Sequence, residues 1–283
     1  MSEQQVTPEL RQWIVDQAKA GRPPDEVLKS MMASGWDEDV ALVALEDTLA
    51  GFLKDHAQAH GLPAPVPVPE PDLGDAGNSL AVNGHEIKIV MTLRNPRVIV
   101  FGNLLTHEEC DELVALARPR VARSETVATS TGSSEVNVAR TSDGMFFGRG
   151  ENALCKRFEA RIGALLGWPV ENGEGLQILR YRPGAEYKPH YDYFDPDQPG
   201  TPSILKRGGQ RVGTLVTYLN TPERGGATTF PDVNLEVMPV KGQGVFFSYD
   251  RPHPLTRTLH GGAPVLVGEK WVATKWLRER RFD

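Results

Sequence analysis

From residue 80 onward the chain is built of short apolar segments separated by turn residues, and that spacing excludes most architectures. Segments at 176–182, 187–193, 211–219, 226–230, 244–249, 255–260 and 270–277 read as strands, with no helical periodicity between them. Parallel strands are usually joined by crossover helices, and none is read between these segments. The pattern therefore predicts an antiparallel sandwich or barrel. Before it, "SLAV-NG-HEIKIVMTL" reads as a hairpin turning at Asn83-Gly84, followed by the buried strand "RVIVFGNLL". A helix capped by Thr106 is expected to run to about Ala117, and a second from about Asn152 to Leu166. Both should pack outside the sheet.

The N-terminal part is different. Residues 7–54 carry three short amphipathic patterns. Thr7-Pro8 opens the first, with Leu10, Trp13, Ile14 and Ala18 on one face and Gly21 as the stop. Pro23-Pro24-Asp25 opens the second, with Val27, Leu28, Met31 and Met32 on its apolar side. Asp37 caps the third, whose apolar positions include Val40, Val43, Ala44 and Leu53. A packet this small has a marginal core. It loosely resembles ubiquitin-associated helical modules, and reads equally well as a helical extension that stabilises the main domain. Then "GLPAPVPVPEP" places proline at every second position from Pro63 to Pro71, an extended spacer; no aromatic or basic flank marks it as a ligand for a partner. The expected organisation is an acidic three-helix module over 1–58, a linker over 59–79 and a β domain over 80–283.

Charge follows the same division. Residues 1–60 hold 11 acidic and 5 basic residues, whereas the rest of the chain holds 26 of each. Neither part has the basic excess of a nucleic-acid binder. "MSEQQVTPEL" has neither the basic start nor the apolar core of a signal peptide, and no apolar run approaches the ~18 residues of a membrane span. Cys110 and Cys155 are too few for a disulfide framework and fall in predicted helices, so they read as buried thiols. A cytoplasmic protein without membrane or nucleic-acid partners is expected.

Within the strands, "YKPHYDYFD" places His190 and Asp192 two residues apart. Residues i and i+2 of a strand share a face, so both can reach one ion. His260, at the end of "LTRTLH", supplies a third ligand from a distant strand; His253 competes for that place but lies between two prolines in a loop. Two imidazoles and one carboxylate can hold one face of a non-haem iron and leave the other open. The plain alternative for an isolated H-x-D is a pair of ordinary polar residues on a strand. In "KWVATKW", Lys270, Val272, Thr274 and Trp276 alternate onto one face. An inward lysine is costly to bury without an anion, and the far carboxylate of 2-oxoglutarate is such an anion; a lysine at the strand's edge reaching solvent is the alternative.

The segments "LQILRYRPGAEYKPHYDYF", "QRVGTLVTYLNTPERGGATTFPD", "LHGGAPVLVGEKWVATKWLRE" and "VARTSDGMFF" closely resemble the prolyl 4-hydroxylase branch of the iron(II)/2-oxoglutarate dioxygenases, over roughly residues 97–283. The resemblance implies a double-stranded β-helix, or jelly roll, with flanking helices. It implies Fe(II) on His190, Asp192 and His260, Lys270 on the C5 carboxylate of 2-oxoglutarate, and hydrogen bonds to that co-substrate from Thr214 and Tyr181. Read from the residues alone, Thr214 is equally an interior strand threonine and Tyr181 a buried aromatic. The resemblance further implies that Arg140, Ser142 and Trp276 lie on the substrate side; the alternatives are a surface charge for Arg140 and core packing for Trp276. Gly225-Gly226 matches a tight strand connection.

The expected activity is hydroxylation of a prolyl residue, at C4, in a peptide or protein, with O2 consumed, succinate and CO2 released and ascorbate as a candidate reductant. Loops at 140–148 and 195–209 are candidate lids. The acidic module and the proline spacer are not part of that family's catalytic core, and no collagen-type peptide-binding domain is evident. Two other readings stay open: a free amino-acid hydroxylase of the same chemistry, and an oxygen or 2-oxoglutarate sensor whose N-terminal module binds a protein partner.

Overall fold

The computed structural model describes residues 4–74, 77–123, 126–127, 134–135 and 141–283. It divides into two compact units, Met1–Pro65 and Val66–Asp283. Among the described residues no helix is long and apolar enough to cross a membrane.

The first unit is three helices: α1 (Pro8–Lys19), α2 (Pro24–Ala33) and α3 (Glu38–Ala59). Thr7 and Asp37 cap α1 and α3 by accepting from Leu10 and Asp39 backbone N–H groups. The core is Ile14, Val27, Met31, Ala41, Ala44 and Leu45. The expected face of α3 is partly wrong: Val43 and Leu53 are exposed, as is Met32 of α2. The buried series of α3 runs 41, 44, 45 and 48, one helical face of small residues that lets α1 approach closely.

The second unit is antiparallel throughout. A nine-stranded sheet runs in the order β1 (Ser79–Val82), β2 (His85–Leu93), β3 (Arg97–Gly102), β14 (Gly244–Ser248), β10 (Arg211–Tyr218), β17 (Lys270–Arg278), β8 (Leu176–Tyr181), β7 (Asp143–Phe147) and β4 (Ala122–Arg123). A four-stranded sheet runs β13 (Leu235–Val237), β12 (Thr228–Phe230), β15 (His260–Gly262) and β9 (Tyr187–His190). Two short pairs complete it, β11 (Arg224–Gly225) with β16 (Val265–Val267) and β5 (Thr126–Val127) with β6 (Ser134–Glu135). The predicted strand at 255–260 is instead a 3-10 turn, Pro254–Thr256, after which His260 opens β15 rather than ending a strand. The proline at 254 and the left-handed Arg257 (φ 53°) break the extended run. Neither predicted lid is structureless: 143–147 is β7, and α6 (Thr201–Leu205) lies in the other.

Alternation along the strands of the large sheet builds two cores, one on each face. On one face Ile99, Phe101, Ile178, Leu215, Phe246, Trp271 and Leu277 meet α4 (His107–Ala117) and α5 (Ala153–Leu166) through Leu113, Phe158, Ile162 and both free cysteines. Burial pushes the thiols up, to about 12 for Cys110 and about 11 for Cys155, so both are inert. On the other face Val98, Val100, Leu179, Tyr218, Val245, Phe247 and Val272 meet Phe230 and Val237 of the smaller sheet. This second core is the inside of a jelly roll, and its open end holds the candidate site. Val66–Asp72 of the proline-rich segment is docked on this unit: Val66 donates to the Asp250 carbonyl (2.8 Å), Glu70 pairs with Arg97, and Pro69 and Pro71 are buried.

Candidate active site

Three elements of different sequence origin meet at the open end. β9 and β15 pair with His190 opposite His260, and Asp192 follows β9. A register shift between His260 and Gly262 bends β15 there. The ligand atoms of His190, Asp192 and His260 all lie within 4.8 Å of one another, the one such cluster among the described residues. His190 Nε2 is 3.5 Å from Asp192 Oδ1, and His260 Nε2 is 3.5 Å from Asp192 Oδ2.

The hydrogen bonds of the rings fix their tautomers. His190 Nδ1 faces the Lys188 carbonyl at 2.9 Å and His260 Nδ1 the Thr258 carbonyl at 3.0 Å. A carbonyl only accepts, so each Nδ1 donates. Burial, the largest influence, pushes His260 down to about 4, against the pull of Asp192. Burial raises Asp192, but His260, His190 and Arg211 together hold it well below the usual carboxylate range. Each Nδ1 is taken by a carbonyl, so both Nε2 atoms are turned toward the Asp192 carboxylate. Two imidazole nitrogens and a carboxylate brought together in this way are a donor set that suits a divalent non-haem iron with open positions.

The triad lines a cavity of about 480 Å³, counting the solvent at its mouth. Its wall is the inward row of β17, Lys270, Val272, Thr274 and Trp276, as the alternation predicts, with Gln177, Leu179 and Tyr181 from β8. Lys270 is opposite Tyr181 in register. Its Nζ lies 5.5 Å from the ring centroids of Tyr181 and Tyr218. Among the described residues it has no carboxylate or hydrogen-bond partner, and burial alone lowers it to about 8. Gly226, at φ +77°, leaves room for its stem: a Cβ there would meet Lys270 Cδ at 3.1 Å.

The remaining expected residues divide. Tyr181 and Trp276 line the cavity. Thr214 does not: its Oγ1 donates to Asp192 Oδ2 at 2.7 Å and lies 2.9 Å from Tyr249 Oη. Besides Thr274, the threonine on the wall is Thr228 of β12, which accepts from Tyr218 Oη at 2.7 Å. The alternation Thr228–Phe230 signals its inward direction. Ser142 is fully buried, with no open face for a peptide in this conformation. Arg140 lies outside the described residues.

Sequence reasoning missed Arg211. Its guanidinium lies 3.9 Å over the Trp276 ring and is clamped by Glu174 (2.7 and 3.0 Å), which also takes Arg278. A register shift between Arg211 and Gly213 breaks the alternation that would have revealed this direction. Tyr187, also missed, stacks on His190 at 3.7 Å.

A family model described as the 2OG-Fe(II) oxygenase superfamily matches residues 176–278, which contain the triad, the lysine and the cavity wall. Prolyl 4-hydroxylase 5 of Arabidopsis thaliana is 39% identical over 208 residues, covering 66% of this chain and 70% of that one. Prolyl 4-hydroxylase 1 of the same plant is 41% identical over 204 residues, with 66% and 70% covered. Among solved structures, a viral collagen prolyl hydroxylase from Paramecium Bursaria Chlorella virus-1, in complex with 2OG, is 29% identical with a TM-score of 0.51, covering 64% of this chain and 95% of that one. The fold and the site thus define a 2-oxoglutarate- and Fe(II)-dependent oxygenase, for which O2 is the oxidant. Within that class, the chain belongs to the prolyl 4-hydroxylase family.

Proposed function

We propose that this chain hydroxylates prolyl residues of a peptide or protein at C4, with His190, Asp192 and His260 holding Fe(II) and Lys270 holding the C5 carboxylate of 2-oxoglutarate. The observation that carries the reading is Lys270, a buried cation lacking an anion among the described residues, in one cavity with the His-Asp-His set. Iron held there would supply the oxidation, in which 2-oxoglutarate and O2 give succinate and CO2, one oxygen atom entering succinate and the other being inserted into the prolyl C–H bond as a hydroxyl group.

The protein's own residues do the rest. Lys270 fixes one end of the co-substrate, and the hydroxyls of Tyr181 and Thr228, on the same wall, are placed to bond it, so it is oriented before oxygen arrives. Thr214 instead supports Asp192. Val216, Val272 and Leu179 keep that end apolar, which strengthens the charge pairing by excluding water. Trp276, held flat under Arg211, and Tyr187 offer ring faces for a prolyl ring. The Trp276 indole N–H is buried without an acceptor among the described residues. The relatives named as prolyl 4-hydroxylases support the choice of proline.

The test is succinate release from purified protein with Fe(II), 2-oxoglutarate and O2, with and without proline-containing peptides, together with the mass of the recovered peptides. Peptide-stimulated turnover with one oxygen atom added at proline, lost in His190→Ala, is expected. Turnover indifferent to every peptide but stimulated by free amino acids would overturn the substrate assignment.

A further inference from the structure

Behind Asp192, away from the cavity, a two-hydroxyl chain runs into the core. Thr214 donates its one hydroxyl proton to Asp192 Oδ2 at 2.7 Å. The Thr214 oxygen then has only lone pairs to offer Tyr249, 2.9 Å away, and the Tyr249 hydroxyl must be the donor. Both side chains are buried, at 0% and 2% exposure, so no solvent can replace either bond.

The backbone holds the chain in place. Thr214 lies opposite Phe247 in the β10–β14 ladder, two residues before Tyr249, so Phe247 and Tyr249 project to the same side. Tyr249 N–H donates to the Val212 carbonyl at 3.1 Å, and the next carbonyl, Asp250, takes Val66 at 2.8 Å. Pro69 packs on Gly213, beside Thr214. Tyr249 therefore cannot swing away without unseating β14 and the docked proline segment.

We propose that Tyr249 is a positioning residue of the iron site: through Thr214 it fixes the rotamer of Asp192 and polarises the bond that Asp192 accepts. The inference rests on the reading of His190, Asp192 and His260 as metal ligands. Groups that orient a metal ligand typically change metal affinity by about 10–100-fold when removed. Tyr249→Phe deletes only the hydroxyl oxygen and keeps the ring in the core.

The experiment is titration of the full-length metal-free protein with Co(II), read by the visible absorption of the bound ion, beside thermal melting of the same metal-free samples. Tyr249→Phe is expected to weaken Co(II) binding about tenfold and to shift the absorption, with melting unchanged. Thr214→Val should weaken it at least as much, Thr214→Ser should bind like the parent, and Tyr249→Phe added to Thr214→Val should change nothing further. An equal loss from Tyr249→Phe in both backgrounds would show that it acts by packing and would overturn the inference. So would unchanged affinity, or a loss that only tracks a fall in melting temperature. If Thr214→Val does not fold, the Tyr249→Phe single variant decides alone on affinity against melting. Failure of the parent to bind Co(II) would instead overturn the metal-site reading beneath it.

Discussion

Lys270 is held in a state that costs stability and is useful only when an anion arrives. Its value is pushed down to about 8 by burial, whereas an unfolded chain would hold it near 10.5. The fold therefore disfavours the charged lysine, and near neutral pH that charge destabilises the metal-free protein. Lys270→Met should raise its unfolding free energy, by up to about 3 kcal/mol, in urea titrations. The same variant should lose 2-oxoglutarate affinity by about a hundredfold or more in calorimetric titrations, with Co(II) binding retained. Equal 2-oxoglutarate affinity in variant and parent would refute the role of the lysine. The sign of the pH effect follows: the co-substrate's carboxylates stay ionised while Lys270 loses its proton above about 8. Affinity should be flat below that pH and fall toward tenfold per unit above it.

At the scale of elements, the site depends on where strands begin and bend. The β11–β12 connection runs through Gly225 and Gly226, both at φ +77°. A Cβ on Gly225 would run into the Pro264 carbonyl oxygen and the Leu266 side chain. Gly84, in the β1–β2 hairpin, has the same φ with nothing near a Cβ. Alanine at 84 should cost the left-handed strain of about 1–2 kcal/mol. Alanine at 225 should cost visibly more by urea unfolding, because backbone cannot yield as a flexible side chain can. Equal costs would mean that the hairpin and the inter-sheet turn are limited by dihedral strain alone.

For the whole molecule, the contacts of the proline-rich segment predict two outcomes of shortening the chain. Val66, Pro69, Glu70 and Pro71 belong to the second unit, and Glu70 bonds both Arg97 and the Leu166 carbonyl. Removal of residues 1–60 should leave melting of the second unit and 2-oxoglutarate turnover unchanged. Removal of residues 1–72 should lower melting by about 4 °C or more, since two backbone bonds and two buried prolines go with it. Identical melting of the two shortened forms would reduce the segment to a spacer. We propose that residues 1–58 act as a separate module on this chain, built on its own core of Ile14, Met31 and Leu45.

Periodicity is a local property, so the sequence alone determined the antiparallel class, the helix capped by Thr106, the helix from about Asn152, and the inward row Lys270–Trp276. The H-x-D spacing put two ligands on one side for the same reason. Local periodicity also has limits: it misplaced the buried face of α3, and it gave a strand at 255–260 where Pro254 and Arg257 force a turn. Only the tertiary structure decided the partners. It brought His260 opposite His190 from 70 positions further along the chain, because register between β9 and β15 is set by packing of the whole sheet. It turned Thr214 to Asp192 and left Thr228 on the cavity wall, a choice that two inward threonines in a sequence do not distinguish. It revealed Arg211 beneath Trp276, hidden because a bulge resets the strand's phase. Which face a residue takes is written in its neighbours along the chain; what it meets there depends on strands that fold in from elsewhere.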